Sequence, residues 1–196
     1  MSERRIRAGL LLAPGAGADR HQPTLVAIDE ALAGDGFRTV RMDFPYRRAG
    51  RRAPDPAPVL IRSVEEEAAA LVEGARLRPS DLFLGGRSLG ARMCSMAVAA
   101  GLPARGLVLI SYPLHPPGRP DRARTEHFPS LRVACLFVSG TRDAFGSPEE
   151  LEAVTREIPG PVSHHWIDGK DHGLRGADAE VVAAARSWLI RRRPRG

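Results

Sequence analysis

Three residues whose types could perform nucleophilic catalysis occur far apart, in the order serine, aspartate, histidine. Ser88 lies in Gly86-Arg-Ser-Leu-Gly90, after an apolar run and before a helix-forming segment. This G-x-S-x-G pattern, between a strand and a helix, is typical of a sharp turn that exposes one serine hydroxyl. An ordinary strand-to-helix turn is the alternative, because glycine and serine favour turns in general. Asp143 and His172 each follow a later apolar run. A serine hydroxyl becomes a good nucleophile when a histidine takes its proton and an acid orients that histidine.

The elements that must position these residues follow from the hydrophobic periodicity of the chain. Apolar runs and apolar–polar alternation predict six strands, over residues 8–14, 37–44, 81–86, 106–111, 133–138 and 162–167. Helical spacing predicts helices over residues 24–33, from an N-cap at Ser63, over 89–100, over 147–158 and from about Ala177. Strands that alternate with helices, several of them continuously apolar, predict an α/β fold with a mainly parallel sheet covered on both faces.

The strand ends bring the candidate residues to one edge of this predicted sheet. Ser88 follows the third strand, Asp143 the fifth and His172 the sixth. Functional residues of such sheets lie at the carboxyl ends of the strands. The chain order serine, acid, histidine is also the order found in α/β-hydrolases.

Four motifs together resemble the α/β-hydrolases, and more narrowly the small, lid-poor hydrolases often labelled dienelactone-hydrolase-like, a group related to testis-expressed protein 30. The motifs are Gly85-Gly-Arg-Ser-Leu-Gly-Ala-Arg92, Tyr112-Pro-Leu-His-Pro-Pro-Gly118, Gly140-Thr-Arg-Asp-Ala-Phe-Gly146 and Asp171-His-Gly173. The resemblance covers nearly the whole chain, which we expect to be a single α/β-hydrolase domain over residues 1–196, without a large lid.

The resemblance implies a serine hydrolase that cleaves a carboxylic ester or thioester through an acyl-serine intermediate. Ser88 is then the nucleophile, His172 the general base and acid, and Asp143 the residue that orients His172. No metal and no organic cofactor is implied, and the expected partner is a small-molecule ester or thioester. The alternative is a non-catalytic interaction protein on the same fold, since a fold does not determine a function.

The oxyanion hole that the resemblance implies uses backbone N–H groups. One belongs to Leu89, and the other to Ala16 or Gly17 in the loop after the first strand. Relatives often have His-Gly where this chain has Pro14-Gly15, a difference that leaves the N–H donors in place.

Tyr112 and His115 are candidates for the substrate pocket, because their loop leaves a strand end beside Ser88. His115 could equally pack that loop through its prolines. Residues 113–129 are the only available cover, so we expect a shallow and open pocket.

Other residues with chemical potential receive less weight. Gly15-Ala-Gly17 and Asp43 imitate a dinucleotide-binding fingerprint, but Arg20 stands where the third glycine belongs. Arg87 is expected in a structural ion pair and Cys94 in the core. The remaining histidines carry no motif; they are His21, His127, His164 and His165.

Composition bounds the cellular context and the partners. The net charge is +6, but the chain has one lysine, and its arginines are scattered without interleaved aromatic residues, so we expect no nucleic-acid partner. Arg47, Arg48, Arg51 and Arg52 form one cluster that could attract an acidic substrate. Two cysteines in apolar segments are typical of free thiols in the cytoplasm, and no apolar run is long enough for a membrane span. The sequence does not predict an oligomeric state.

Overall fold

Residues 6–194 of the chain are described in a computed structural model. Their six strands are β1 (Ala8–Ala13), β2 (Phe37–Arg41), β3 (Leu82–Arg87), β4 (Gly106–Ile110), β5 (Ala134–Gly140) and β6 (Val162–Ile167). Their helices are α1 (Pro23–Ala31), α2 (Pro45–Arg48), α3 (Ala57–Gly74), α4 (Leu89–Ala99), α5 (Pro148–Thr155) and α6 (Asp178–Arg192). Single 3₁₀ turns span Pro79–Asp81, Pro120–Arg122 and Phe128–Ser130.

All six strands pair in parallel in one sheet, with the order β2-β1-β3-β4-β5-β6. The chain starts in β1, crosses to β2 at the edge, and returns to β3 on the other side of β1. The direction of winding therefore reverses between β1 and β3. In open parallel sheets, the crevice at such a switch point is where ligands bind. The loop after β1 and the turn after β3 border this crevice.

Helices cover both faces of the sheet, as predicted. Successive side chains of β1 point to opposite faces, so Leu11 belongs to one core cluster, while Leu10 and Leu12 belong to the other. The cluster around Leu11 packs against α3, α4 and α5, and the other packs against α1 and α6. No inserted lid domain interrupts residues 6–194, whose connections are loops, short turns and the helices named above.

The start of α3 differs from the prediction. The helix begins at Ala57, and Ser63 lies buried inside it instead of capping it. The prolines of this segment suggest a loop, but Pro58 occupies the first turn of the helix, where its missing N–H costs nothing. Buried packing of Leu60 and Val64 against the core then carries the helix through Ser63.

No helix among residues 6–194 is long and apolar enough to cross a membrane. The basic N-terminal residues 1–5 and Arg195 lie outside the described part of the chain.

Candidate active site

Ser88 sits at the junction of β3 and α4 with φ 50° and ψ −111°, a left-handed conformation that is strained for a residue with a side chain. Its N–H donates to the carbonyl of Ile110 at 2.9 Å, which fixes the turn against β4. Glycine is required on both sides of this turn, because a Cβ at Gly86 or Gly90 would collide with the carbonyl of Ala13. The predicted sharp turn with small neighbours is confirmed, and it leaves Ser88 partly exposed.

Ser88, His172 and Asp143 form one continuous chain of hydrogen bonds. His172 Nε2 lies 2.9 Å from Ser88 Oγ. On the other side of the ring, Nδ1 lies 2.8 Å from Asp143 Oδ2 and 3.0 Å from Oδ1. A carboxylate at this distance fixes the ring proton on Nδ1 and leaves the lone pair of Nε2 facing the serine. The arrangement can accept the hydroxyl proton of Ser88.

The carboxylate of Asp143 is held in place by contacts other than the one to His172. Its side chain is 1% exposed, and Oδ1 accepts a hydrogen bond from the N–H of Phe145 at 2.8 Å. The ring of Phe145 lies 4.1 Å from the His172 ring, centroid to centroid, and covers one of its sides. The residues of Asp143-Ala-Phe145 therefore contact both the Nδ1 edge and one side of the imidazole.

Two other carboxylates near His172 shape its loop. Asp168 accepts a hydrogen bond from the hydroxyl of Thr141, and Asp171 accepts one from the N–H of Gly173. Neither bonds to the imidazole, so Asp143 alone of these three acids contacts the His172 ring.

The loop after β1 is anchored by two side chains that the sequence did not single out. The N–H of Gly15 donates to Gln22 Oε1 at 2.9 Å, and the N–H of Gly17 donates to the buried hydroxyl of Tyr46 at 3.2 Å. Ala16 lies between them, and its N–H has no hydrogen-bond partner within residues 6–194. The sequence-based prediction missed Tyr46, whose buried side chain lies in the first turn of the short helix α2.

Leu89 is the first residue of α4, directly after Ser88. The first N–H groups of a helix have no acceptor within the helix. The N–H groups of Leu89 and Ala16 are thus available on the two sides of the crevice, next to the serine. Such unpaired donors can stabilise a negative charge that develops on an oxygen.

Tyr112 and His115 are buried and bonded within the protein. The hydroxyl of Tyr112 donates to the carbonyl of Arg124 at 2.7 Å, and burial raises the pKa of that hydroxyl above its usual range. The His115 ring contacts the carbonyl of Pro116 at 2.9 Å and Glu150 at 3.3 Å. These contacts explain how the loop after β4 packs, and they give no support to the prediction that either side chain binds substrate.

Arg87, expected in an ion pair, forms none with any described carboxylate. Its Nη2 donates instead to two successive backbone carbonyls, those of His172 (3.1 Å) and Gly173. The prediction of an ion pair is therefore wrong, because carbonyl oxygens of the His172 loop, and not a carboxylate, accept from the guanidinium.

Most of the charged groups behind the nucleotide and acidic-substrate alternatives are paired within the protein. Burial favours a raised pKa for Asp43, but hydrogen bonds from Arg20 outweigh it and lower that pKa, so the carboxylate is already engaged. Three of the four clustered arginines have acidic partners, in the pairs Arg47–Asp19 (3.8 Å), Arg48–Glu67 (3.0 Å) and Arg51–Asp55 (2.6 Å).

Cys94 and Cys135 are buried free thiols, and burial raises the pKa of each to about 12. The predicted core position of Cys94 is confirmed. Within residues 6–194, no three His, Cys, Asp or Glu side chains converge as a group that could hold a metal ion.

The family of the chain follows from a comparison of its sequence with known domains. The model of the family described as "Alpha/beta hydrolase domain" matches residues 6–188. The chain belongs to the α/β-hydrolase family. The relation to testis-expressed protein 30 stays a prediction.

Solved structures with the same α/β-hydrolase fold cover nearly the whole chain at low sequence identity. An alpha-beta serine hydrolase homologue from Coxiella burnetii is 18% identical with a TM-score of 0.75, over 97% of this chain and 86% of that one. Dienelactone hydrolase from Anabaena variabilis is 17% identical with a TM-score of 0.75, over 98% and 89%. Monoacylglycerol lipase from Paleococcus ferrophilus is 15% identical with a TM-score of 0.77, over 96% of each chain. At these identities the likeness establishes the fold of this hydrolase-family chain.

Proposed function

We propose that this protein is a serine hydrolase that cleaves a carboxylic ester or thioester through an acyl-serine intermediate. The observation that carries the proposal is the hydrogen-bonded chain from Asp143 through His172 to Ser88, with distances of 2.8 and 2.9 Å. Membership in the α/β-hydrolase family supports it, as do the lipolytic enzymes among the proteins of the same fold.

In the first half of the reaction, Ser88 Oγ attacks the carbonyl carbon of the substrate while His172 Nε2 takes the hydroxyl proton. The tetrahedral intermediate carries its negative charge on the former carbonyl oxygen. We assign the N–H groups of Leu89 and Ala16 as the donors that stabilise this oxygen, because the N–H of Gly17 is engaged by Tyr46. One such donor contributes on the order of 3 kcal/mol to lowering the barrier.

The intermediate then collapses, the bond from carbon to the leaving oxygen or sulfur breaks, and His172 gives its proton to the leaving group. In the second half, His172 takes a proton from water, which attacks the acyl carbon. Collapse of this second intermediate returns the proton from His172 to Ser88 and releases the carboxylic acid. Asp143 stays ionised throughout and stabilises the imidazolium. Each residue thus returns to its starting protonation state after one turnover.

The chemistry of the site points to a small-molecule substrate and needs no cofactor. The turn of Ser88 lies at the switch point of the sheet, without an inserted lid domain among residues 6–194 to enclose a long chain. We also propose a reducing compartment such as the cytoplasm, since Cys94 and Cys135 are buried free thiols.

A fluorophosphonate probe tests the proposal, because it reacts with a serine only when that serine is activated. We expect stoichiometric labelling of Ser88 in the wild-type protein, located by peptide mass spectrometry, and no labelling of Ser88→Ala. Folded wild-type protein that does not label would favour the non-catalytic interaction protein instead. A panel of acyl groups, each presented as an oxygen ester and as the matching thioester, then decides between the two substrate classes.

A further inference from the structure

Arg87 makes an unusual set of contacts for an arginine in this chain. It immediately precedes Ser88, and its guanidinium is directed toward the loop of His172. Nη2 donates to the carbonyls of both His172 and Gly173, while no described carboxylate pairs with the guanidinium. One side chain thus connects the turn of the serine to the backbone of the histidine.

The environment of the guanidinium explains why it bonds to groups of the protein. Arg87 is half-buried, and burial lowers its pKa, while the negative charges of Asp178, Asp171 and Asp143 act in the opposite direction. Arginine keeps its charge even so. A half-buried charge needs hydrogen-bond partners, and the carbonyls of His172 and Gly173 supply them.

The geometry of the site makes the position of the His172 backbone important. The imidazole must reach Asp143 at 2.8 Å and Ser88 at 2.9 Å at the same time. Phe145 contacts the ring, but Arg87 holds the main chain of the histidine. Because Arg87 and Ser88 are neighbours, movement of the serine turn carries the anchor of the histidine with it.

We propose that Arg87 is a positioning residue, which holds the backbone of His172 and Gly173 so that the imidazole stays in line between Asp143 and Ser88. This inference rests on the proposed serine hydrolase function. It gives a chemical reason for an arginine at the variable position of Gly86-Arg-Ser-Leu-Gly90. It also implies that this position is not interchangeable with a shorter or uncharged residue.

Arg87→Met tests the proposal, with Arg186→Met as the matched control. Arg186 also donates to a backbone carbonyl, that of Ala31, but it lies on α6 at the surface, where it pairs with Asp35 as well. For a reactive short-chain ester, we expect kcat of Arg87→Met to fall roughly 10- to 100-fold, because a displacement of about 1 Å can cost about 100-fold. KM should change less than about threefold, because the contacts of Arg87 are to protein. Arg186→Met should keep the kcat of the wild type per folded molecule.

Two further measurements separate positioning from folding and from the proposed function. Arg87→Lys keeps the charge and most of the stem, so we expect a kcat between those of Arg87→Met and the wild type. Hydrogen exchange at the amides of residues 172–174 should be faster in Arg87→Met, but not in Arg186→Met. Equal kcat per folded molecule in Arg87→Met and the wild type, with Ser88 still labelled by the fluorophosphonate, would overturn this inference alone. A wild type that neither labels nor hydrolyses esters would overturn the proposed function as well.

Discussion

Two serines, one at the start of α4 and one inside it, each lie close to a histidine, and the two pairs differ in almost everything except that distance. His172 Nε2 lies 2.9 Å from Ser88 Oγ, at the start of α4. His127 Nε2 lies 2.8 Å from Ser95 Oγ, two turns further along the same helix. A short contact between imidazole and hydroxyl therefore does not by itself make a nucleophile.

The direction of the hydrogen bond is opposite in the two pairs. Ser95 donates its hydroxyl proton to the carbonyl of Arg92 at 2.8 Å, so the network assigns His127 Nε2–H as the donor to Ser95. Asp143 holds the proton of His172 on Nδ1, so Ser88 is the donor in the other pair. Only His172 presents a lone pair that can take a proton from a serine.

The surroundings of the two serines differ in the same sense. Ser95 is fully buried, whereas Ser88 is partly exposed at the crevice between β1 and β3. Ser88 is followed by an unpaired helix N–H, that of Leu89, while Ser95 lies inside the helix, where the N–H groups are bonded. The carboxylate of Asp143, the unpaired N–H of Leu89 and the partial exposure of Ser88 distinguish the first pair from the second.

The largest expected contrast is between Ser88→Ala and Ser95→Ala. Loss of the nucleophile should reduce kcat on the order of 10⁶-fold. Ser95→Ala should leave kcat per folded molecule within about threefold of the wild type, although it leaves a His127 N–H unpaired and destabilises the fold by about 1–3 kcal/mol. Steady-state ester hydrolysis and thermal unfolding of both variants measure the two effects. Comparable loss of kcat in both would contradict the distinction drawn between the pairs.

The next contrast concerns the acid. Asp143→Asn keeps the shape of the side chain but lets an amide donate to Nδ1, which places the ring proton on Nε2 and imitates the state of His127. We expect kcat to fall about 10⁴-fold. Glu126→Gln is the control, since Glu126 is the carboxylate next to His127 in sequence and is exposed. A kcat of Asp143→Asn within tenfold of the wild type would mean that another group orients His172.

A smaller contrast concerns two buried tyrosine hydroxyls that each bond to a backbone group. Tyr46 accepts from the N–H of Gly17 next to the assigned oxyanion donor, Ala16, and Tyr112 donates to the carbonyl of Arg124. Tyr46→Phe should loosen the loop after β1 and lower kcat roughly tenfold, because catalytic geometry is sensitive to small displacements. Tyr112→Phe should leave kcat unchanged. A larger loss of kcat in Tyr112→Phe than in Tyr46→Phe would contradict this and would support the prediction that Tyr112 contacts the substrate.

The sequence was sufficient for the fold and for the three residues that meet at the strand ends. Parallel strands place their carboxyl ends at one edge, so residues that follow the third, fifth and sixth strands come together whatever their separation in the chain. The start of α3 was missed because Pro58, which usually interrupts a helix, occupies its first turn.

The supporting contacts could not be predicted because they join distant residues through backbone atoms. Arg87 bonds to backbone carbonyls, which every residue has. The residue types at positions 172 and 173 therefore do not predict the contact. The contact between Tyr46 and Gly17 has the same character. Ser95 and His127 show the opposite limit of prediction from sequence. Their residue types are those of a catalytic pair and they are in contact, but their surroundings do not make the serine reactive.

The smallest effect is a pH dependence of stability that comes from the second pair. Burial, together with the positive charge of Arg92, lowers the pKa of His127 from 6.5 to about 4. Between pH 6.5 and about 4, the unfolded chain is protonated at His127 while the folded chain is not. The free energy of unfolding should therefore decrease as the pH is lowered through this range.

His127→Gln removes the contribution of His127 to the pH dependence, while the amide N–H of the glutamine can still donate to Ser95. We expect its stability to depend less steeply on pH than that of the wild type, with the two curves separating by on the order of 1–2 kcal/mol between pH 6.5 and 4 after allowance for the partial exposure of the ring. His164, whose pKa burial also lowers, keeps some slope in both proteins. Urea unfolding at several pH values measures the difference. Parallel curves for the two proteins would contradict the prediction, because they would mean that the folded protein binds a proton at His127 as readily as the unfolded chain does.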